Sequence, residues 1–95
     1  PSYYGVKENT NNDSNISILP NPNKGDMVIR FKGITGSVNV MVYDAIGNMI
    51  DQFGFINQDK EYDMPYSLAN HANGTYLFVV NGEKYTVAKK VVVKK

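Results

Sequence analysis

The sequence predicts an all-β fold, an immunoglobulin-like antiparallel β-sandwich of about seven strands. Three observations predict it. Apolar and polar residues alternate in short stretches. Turn residues separate these stretches every eight to twelve positions or so. No window carries the 3.6-residue apolar period of a helix. Seven short alternating strands without helices are the pattern of a sandwich, and a small closed barrel is the alternative way to arrange them. The chain has no Cys and no Trp, so the cysteine–tryptophan pattern of antibody domains is absent.

Residues 1–15 read as a flexible linker from a domain upstream. Lys7 to Asn15 contains no apolar residue, and such a stretch cannot bury enough surface to offset its ordering entropy. The first residue is Pro rather than Met, as expected of a piece of a longer protein. The folded domain is expected over residues 16–95.

The first strand, Ile16 to Leu19, stops at Pro20, because proline donates no hydrogen bond to a ladder. Pro20-Asn21-Pro22-Asn23-Lys24-Gly25 is a dense turn, with two fixed φ angles, two asparagines and a glycine. Met27, Ile29 and Phe31 form the apolar face of a second strand. Val38, Val40 and Val42 form that of a third. Asp44 to Asn48 connects it to a partner strand, Met49 to Phe55, with Gly47 where φ is expected to be positive. Asn57 to Lys60 is a polar loop. Tyr62, Met64, Tyr66 and Leu68 alternate again, and Pro65 places this strand at an edge or a bulge. Residues 67–73 have room for one helical turn at most. Thr75 to Val80 is the sixth strand. Asn81-Gly82 is expected to be the centre of a tight type I′ hairpin, and Lys84 to Val93 the closing strand.

At 95 residues the chain makes one domain with a thin core, burying roughly 60–65% of its unfolded surface. A formal net charge of +1 gives no dense basic face for nucleic acid. No apolar run approaches the ~18 residues of a membrane helix, so no direct membrane insertion is expected. Without cysteine there is no disulfide, thiolate metal site or thiol nucleophile.

Reactive constellations are also lacking, and no catalytic residue, metal or cofactor is predicted. His71 is the single histidine; general-base catalysis also needs a nucleophile and an orienting partner, so it reads as a solvated loop residue. Asp59, Glu61 and Asp63 alternate and could collect Ca²⁺, but a polar strand start is the simpler reading. Gly33-Ile34-Thr35-Gly36 lacks the Lys-Ser/Thr and the helix of a phosphate loop. Three Asn-x-Ser/Thr matches, at Asn12, Asn15 and Asn73, are what an asparagine-rich chain produces by chance. The chain has seven tyrosines, which suit core and rim packing, with a sugar-binding face as the alternative.

Four segments form an ordered series: Ile16 to Gly25 with its Pro-Asn-Pro turn; Val40 to Ile50 around Asp44 and Gly47; Asn73 to Val80 with Gly74-Thr75-Tyr76; and Lys89-Lys90-Val91-Val92-Val93-Lys94. From Ile16 to Lys95 the chain resembles the type A C-terminal sorting domain of the type IX (Por) secretion system of Gram-negative bacteria. The resemblance implies a non-catalytic signal at the end of a larger cargo such as a protease, glycosidase or adhesin. It implies passage through the periplasm, recognition by the outer-membrane translocon, cleavage in the linker by a sortase, and anchoring at the cell surface. Pro20, Asn21, Pro22 and Gly25 correspond to the family's first motif, Asp44 and Gly47 to its middle turn, Gly74 and Tyr76 to its Gly-x-Tyr strand, and Lys90 to Val93 to its terminal run. The first three motifs are expected to be largely architectural. Recognition is expected at Lys89 to Lys94, on an accessible sheet edge open to strand addition, which could also pair two copies into a dimer. The alternative is a glycan-binding or structural accessory module of a secreted enzyme.

Overall fold

The computed structural model describes residues 15–83 and 85–95. It contains seven strands: β1 (Ile16–Leu19), β2 (Asp26–Lys32), β3 (Gly36–Tyr43), β4 (Met49–Asn57), β5 (Glu61–Ser67), β6 (Gly74–Asn81) and β7 (Thr86–Val93). They form two antiparallel sheets, ordered β1-β2-β5 and β4-β3-β6-β7. This is the predicted immunoglobulin-like sandwich, with the fourth strand beside the third, where antibody constant domains keep it with the first, second and fifth.

Strand alternation builds the core. Ile16 and Ile18, Met27, Ile29 and Phe31, and Val38, Val40 and Val42 all point inward and are buried. Tyr76, Phe78 and Val80 meet them from β6, and Val87, Val91 and Val93 from β7. Each fully buried aliphatic side chain contributes about 1.5–3 kcal/mol by leaving water. The lateral gap between edge strands β4 and β5 is filled by aromatics. Phe31 meets Phe55 edge-on at 5.5 Å, Phe53 stacks on Tyr66 at 5.8 Å, and Tyr66 abuts Phe78 at 5.5 Å. The Tyr66 hydroxyl donates to Asp51 Oδ2 at 2.6 Å. Burial, and then this carboxylate, push its pKa far above the ordinary phenol value, so it acts as a neutral donor.

Several expectations meet the structure with a difference. Pro65 lies on β5, an outer strand of its sheet, as its missing N–H requires. The helical turn allowed for residues 67–73 is the single bond from His71 N–H to Leu68 C=O, 2.9 Å. The Asn81-Gly82 hairpin centre is not where the chain turns. Asn81 is still in the ladder, opposite Thr86, and its Oδ1 accepts from Thr86 Oγ1 at 2.5 Å. Gly82 N–H bonds Tyr85 C=O at 2.9 Å, so the chain reverses beyond Gly82. Asn57, assigned to a polar loop, instead ends β4 and is buried; its Nδ2 donates to Ile34 C=O at 2.6 Å and Asp59 C=O at 3.1 Å. The linker expected over residues 1–15 falls outside the described residues except for Asn15, whose carbonyl already accepts Lys32 N–H at 2.9 Å.

Candidate functional site

β7 is the outer strand of the four-stranded sheet and pairs with β6 over its whole length. Its alternation divides the terminal motif in two. Val91 and Val93 are buried, whereas Lys90, Val92 and, one step past the strand, Lys94 are exposed. Lys89 is half-buried, in the inward register between Val87 and Val91.

The outward backbone edge of β7 is met by the turn that follows β1. The Leu19–Pro20 and Asn21–Pro22 peptides are both cis. Asn21 turns its side-chain amide onto β7 as a strand would turn its backbone: Nδ2 donates to Lys90 C=O at 3.0 Å, and Oδ1 accepts Val92 N–H at 2.9 Å. Asn23 continues the edge with its own backbone. Its N–H donates to Val92 C=O at 2.9 Å, and its C=O accepts Lys94 N–H at 2.7 Å, a single parallel bridge opposite Val93. The Asn23 side chain, buried at 4% exposure, holds the turn together. It donates to Pro20 C=O at 3.0 Å and accepts Gly25 N–H at 2.8 Å. Gly25 has φ 117°, and a β-carbon there would stand 2.8 Å from the Ala69 Cα, so this position requires glycine.

The edge is therefore open only in its first part. Thr86 and Ala88 point their outward backbone groups at no described residue, but Lys90 to Lys94 are covered. The expectation of an accessible strand edge across the whole terminal run is corrected accordingly. Beyond the strand, Lys95 N–H bonds Asn73 Oδ1 at 3.0 Å, and its Nζ donates to the carbonyls of Ala69 (2.7 Å) and His71.

The remaining motif positions lie apart from β7's outer edge. Asp44 and Gly47 shape the β3–β4 turn, where Asp44 Oδ1 accepts Ile46 N–H at 3.1 Å and Asn48 N–H at 2.9 Å, and Gly47 has φ 95°. Gly74 opens β6 opposite Val93. Tyr76, opposite Val91 and buried, donates its hydroxyl to Ala72 C=O at 2.5 Å. His71 is exposed and meets the Tyr76 ring edge-on at 6.5 Å.

The residues weighed for chemistry do not converge. Asp63 accepts a forked pair from Arg30, at 2.9 and 3.2 Å. That hydrogen bonding holds its carboxyl below the usual range. No three His, Asp or Glu side chains among the described residues come together as metal ligands. Tyr62, Tyr66 and Tyr76 are built into the packing, and Tyr43 is the one described strand tyrosine on an outward face, so no coplanar row of exposed rings forms. Sequence reasoning missed the contact between the first motif and the last. Asparagine in a Pro-Asn-Pro-Asn string was read only as a turn former, although its amide is also the side chain that best copies a peptide group.

No curated protein matches the chain. The family model described as the secretion system C-terminal sorting domain matches residues 17–94, which takes in both motifs that meet at the β7 edge. A domain of this kind is a non-catalytic signal. It interacts with the secretion machinery, and it marks a secreted or cell-surface protein. The chain belongs to the Por secretion system C-terminal sorting domain family, and its function is that of a sorting signal for type IX secretion.

Proposed function

We propose that the outer-membrane translocon recognises the terminal run Lys89 to Lys94, and that Lys90, Val92 and Lys94 supply the side chains it reads. The observation that supports this most is the pair of asparagines behind the motif. Asn21 and Asn23 fix the backbone of Lys90 to Lys94, so three exposed side chains are held in one geometry before any partner arrives. Pre-ordering of this kind lowers the entropic cost of binding. Pro20, Asn21, Pro22 and Gly25 then act as the brace, Gly74 and Tyr76 as the paired strand behind it, and Asp44 and Gly47 as a remote turn.

In this reading residues 1–15 link an upstream cargo, such as a secreted hydrolase, to the signal. A sortase cuts in that linker after the translocon has passed the protein from periplasm to surface, where the cargo is anchored. Edge-to-edge pairing of two copies through β7 has only the Thr86–Ala88 stretch available, so the signal works as a single copy.

The test is export of a fusion carrying Ile16–Lys95. The fusion is expected at the cell surface, and deletion of Val91–Lys95 is expected to retain it in the periplasm. That deletion also removes two buried valines. The sharper variant is therefore Lys90→Glu with Lys94→Glu, which changes only exposed positions. Normal export of this folded double variant would refute the assignment.

A further inference from the structure

The two outward faces of the sandwich differ in chemistry. On the three-stranded sheet the register sets Lys32 beside Glu61, Arg30 beside Asp63 and Asp26 beside Ser67. Both charge signs are present, and Arg30 is paired. On the four-stranded sheet the outward rows nearest the terminal motif read Gln52–Met41–Val79–Ala88 and Met49–Tyr43–Leu77–Lys90, with Val92 next to Thr75, and the polar row Gly54–Asn39–Asn81–Thr86 borders them. No carboxylate stands in these rows. Val79 points away from the core yet is 8% exposed. Met49 and Val92 remain 46% and 37% exposed. A contiguous apolar sheet face is unusual on a soluble monomer and marks a contact surface.

Resting on the reading that Lys90, Val92 and Lys94 are what the machinery reads, we infer that these rows on the outward face of the β4-β3-β6-β7 sheet are the docking surface. Its occupant is a secretion-machinery component that lays an apolar patch over Met41, Tyr43 and Leu77, with carboxylates reaching Lys90 and Lys94.

Two observations choose this occupant and this mode. Strand addition at the terminal motif would displace four hydrogen bonds, those of Asn21 to Lys90 and Val92 and of Asn23 to Val92 and Lys94. The motif's side chains, in contrast, already lie on the open face, continuous with Leu77 and Tyr43. A second copy of this chain fits poorly, since these rows offer no carboxylate to its partner's lysines. Lysine–carboxylate contacts across an apolar patch set register and suppress wrong partners.

The experiment places substitutions on β3, two strands away from β7 and beyond the reach of strand addition there. In cells secreting the protein that carries this chain, Met41→Glu is expected to lower surface export by about tenfold or more while thermal unfolding shows a folded domain. Val28→Glu, outward on the opposite sheet, is expected to leave export unchanged. Normal export of folded Met41→Glu, or an equal loss from Val28→Glu, would overturn the inference. Should Met41→Glu not fold, a photo-crosslinking phenylalanine analogue at Tyr43 decides. An adduct with a secretion component supports the surface; no adduct, or an adduct with a second copy of the chain, refutes it. If Lys90→Glu/Lys94→Glu is retained while Met41→Glu is exported, the terminal-motif reading stands and the wider face falls. If both are exported, both fall.

Discussion

Two turns, Pro20–Gly25 and Asp44–Gly47, are built for different purposes. The Asp44–Gly47 turn is closed on itself. Its carboxylate bonds Ile46 and Asn48 within five residues of chain, and nothing distant depends on it. The Pro20–Gly25 turn is held from within by the Asn23 side chain and spends its other hydrogen bonds at a distance, reaching Lys90, Val92 and Lys94 some 70 residues on. The first turn connects two neighbouring strands. The second closes the side of the sandwich where β1 and β7 meet. A motif in sequence thus says little about whether it acts locally or at long range; the bonds it leaves unspent locally decide that.

The largest expected effect separates the glycines of the two turns. Gly25→Ala should cost about 3 kcal/mol, because positive φ combines with a collision against the Ala69 backbone. Gly47→Ala, with similar φ but no atom within 4 Å of the added carbon, should cost about 1 kcal/mol. Urea unfolding midpoints of the two variants check the difference, and equal losses would erase the distinction between the turns.

Asn23→Ala should rank next, at about 2 kcal/mol, since it leaves the buried Gly25 N–H and Pro20 C=O without their partner. The same measurement applies, and a loss below that of Gly47→Ala would show that the brace is not held from within. A small effect on stability, about 1 kcal/mol like that of Gly47→Ala, is expected from exposed Asn21→Ala, but its local signature is the informative part. Amide exchange at Val92 should accelerate as its acceptor disappears. Asp44→Ala should leave Val92 exchange unchanged, and a matching acceleration in both variants would mean that the turns are coupled after all.

Much of the fold was legible because strand phase is written in alternation. Val38, Val40 and Val42 announce one buried face whatever they pack against, and Pro65 excludes an interior strand on covalent grounds. What failed shared one cause. Asn81-Gly82 is a strong local turn former, yet the pairing of Asn81 with Thr86 and the capping of Ser37 N–H by Glu83 at 3.1 Å moved the reversal onward. Asn57 looked like loop polarity and is a buried tether between chain segments. The site was legible in part. Its residues and order were visible, because the motif is linear. The edge cover supplied by Asn21 and the apolar outer sheet face were not, because both depend on which strands become neighbours.

The bond between Asn21 and Lys90 spans 69 positions, and contacts so remote along a polypeptide carry a large loop-closure cost. A product interrupted before Lys90 can still assemble its earlier hairpins, but it gives the two asparagines nothing to grip. On the reading proposed above, fragments are thereby withheld from shipment without any separate inspector, since the address label becomes readable only once this fold is complete.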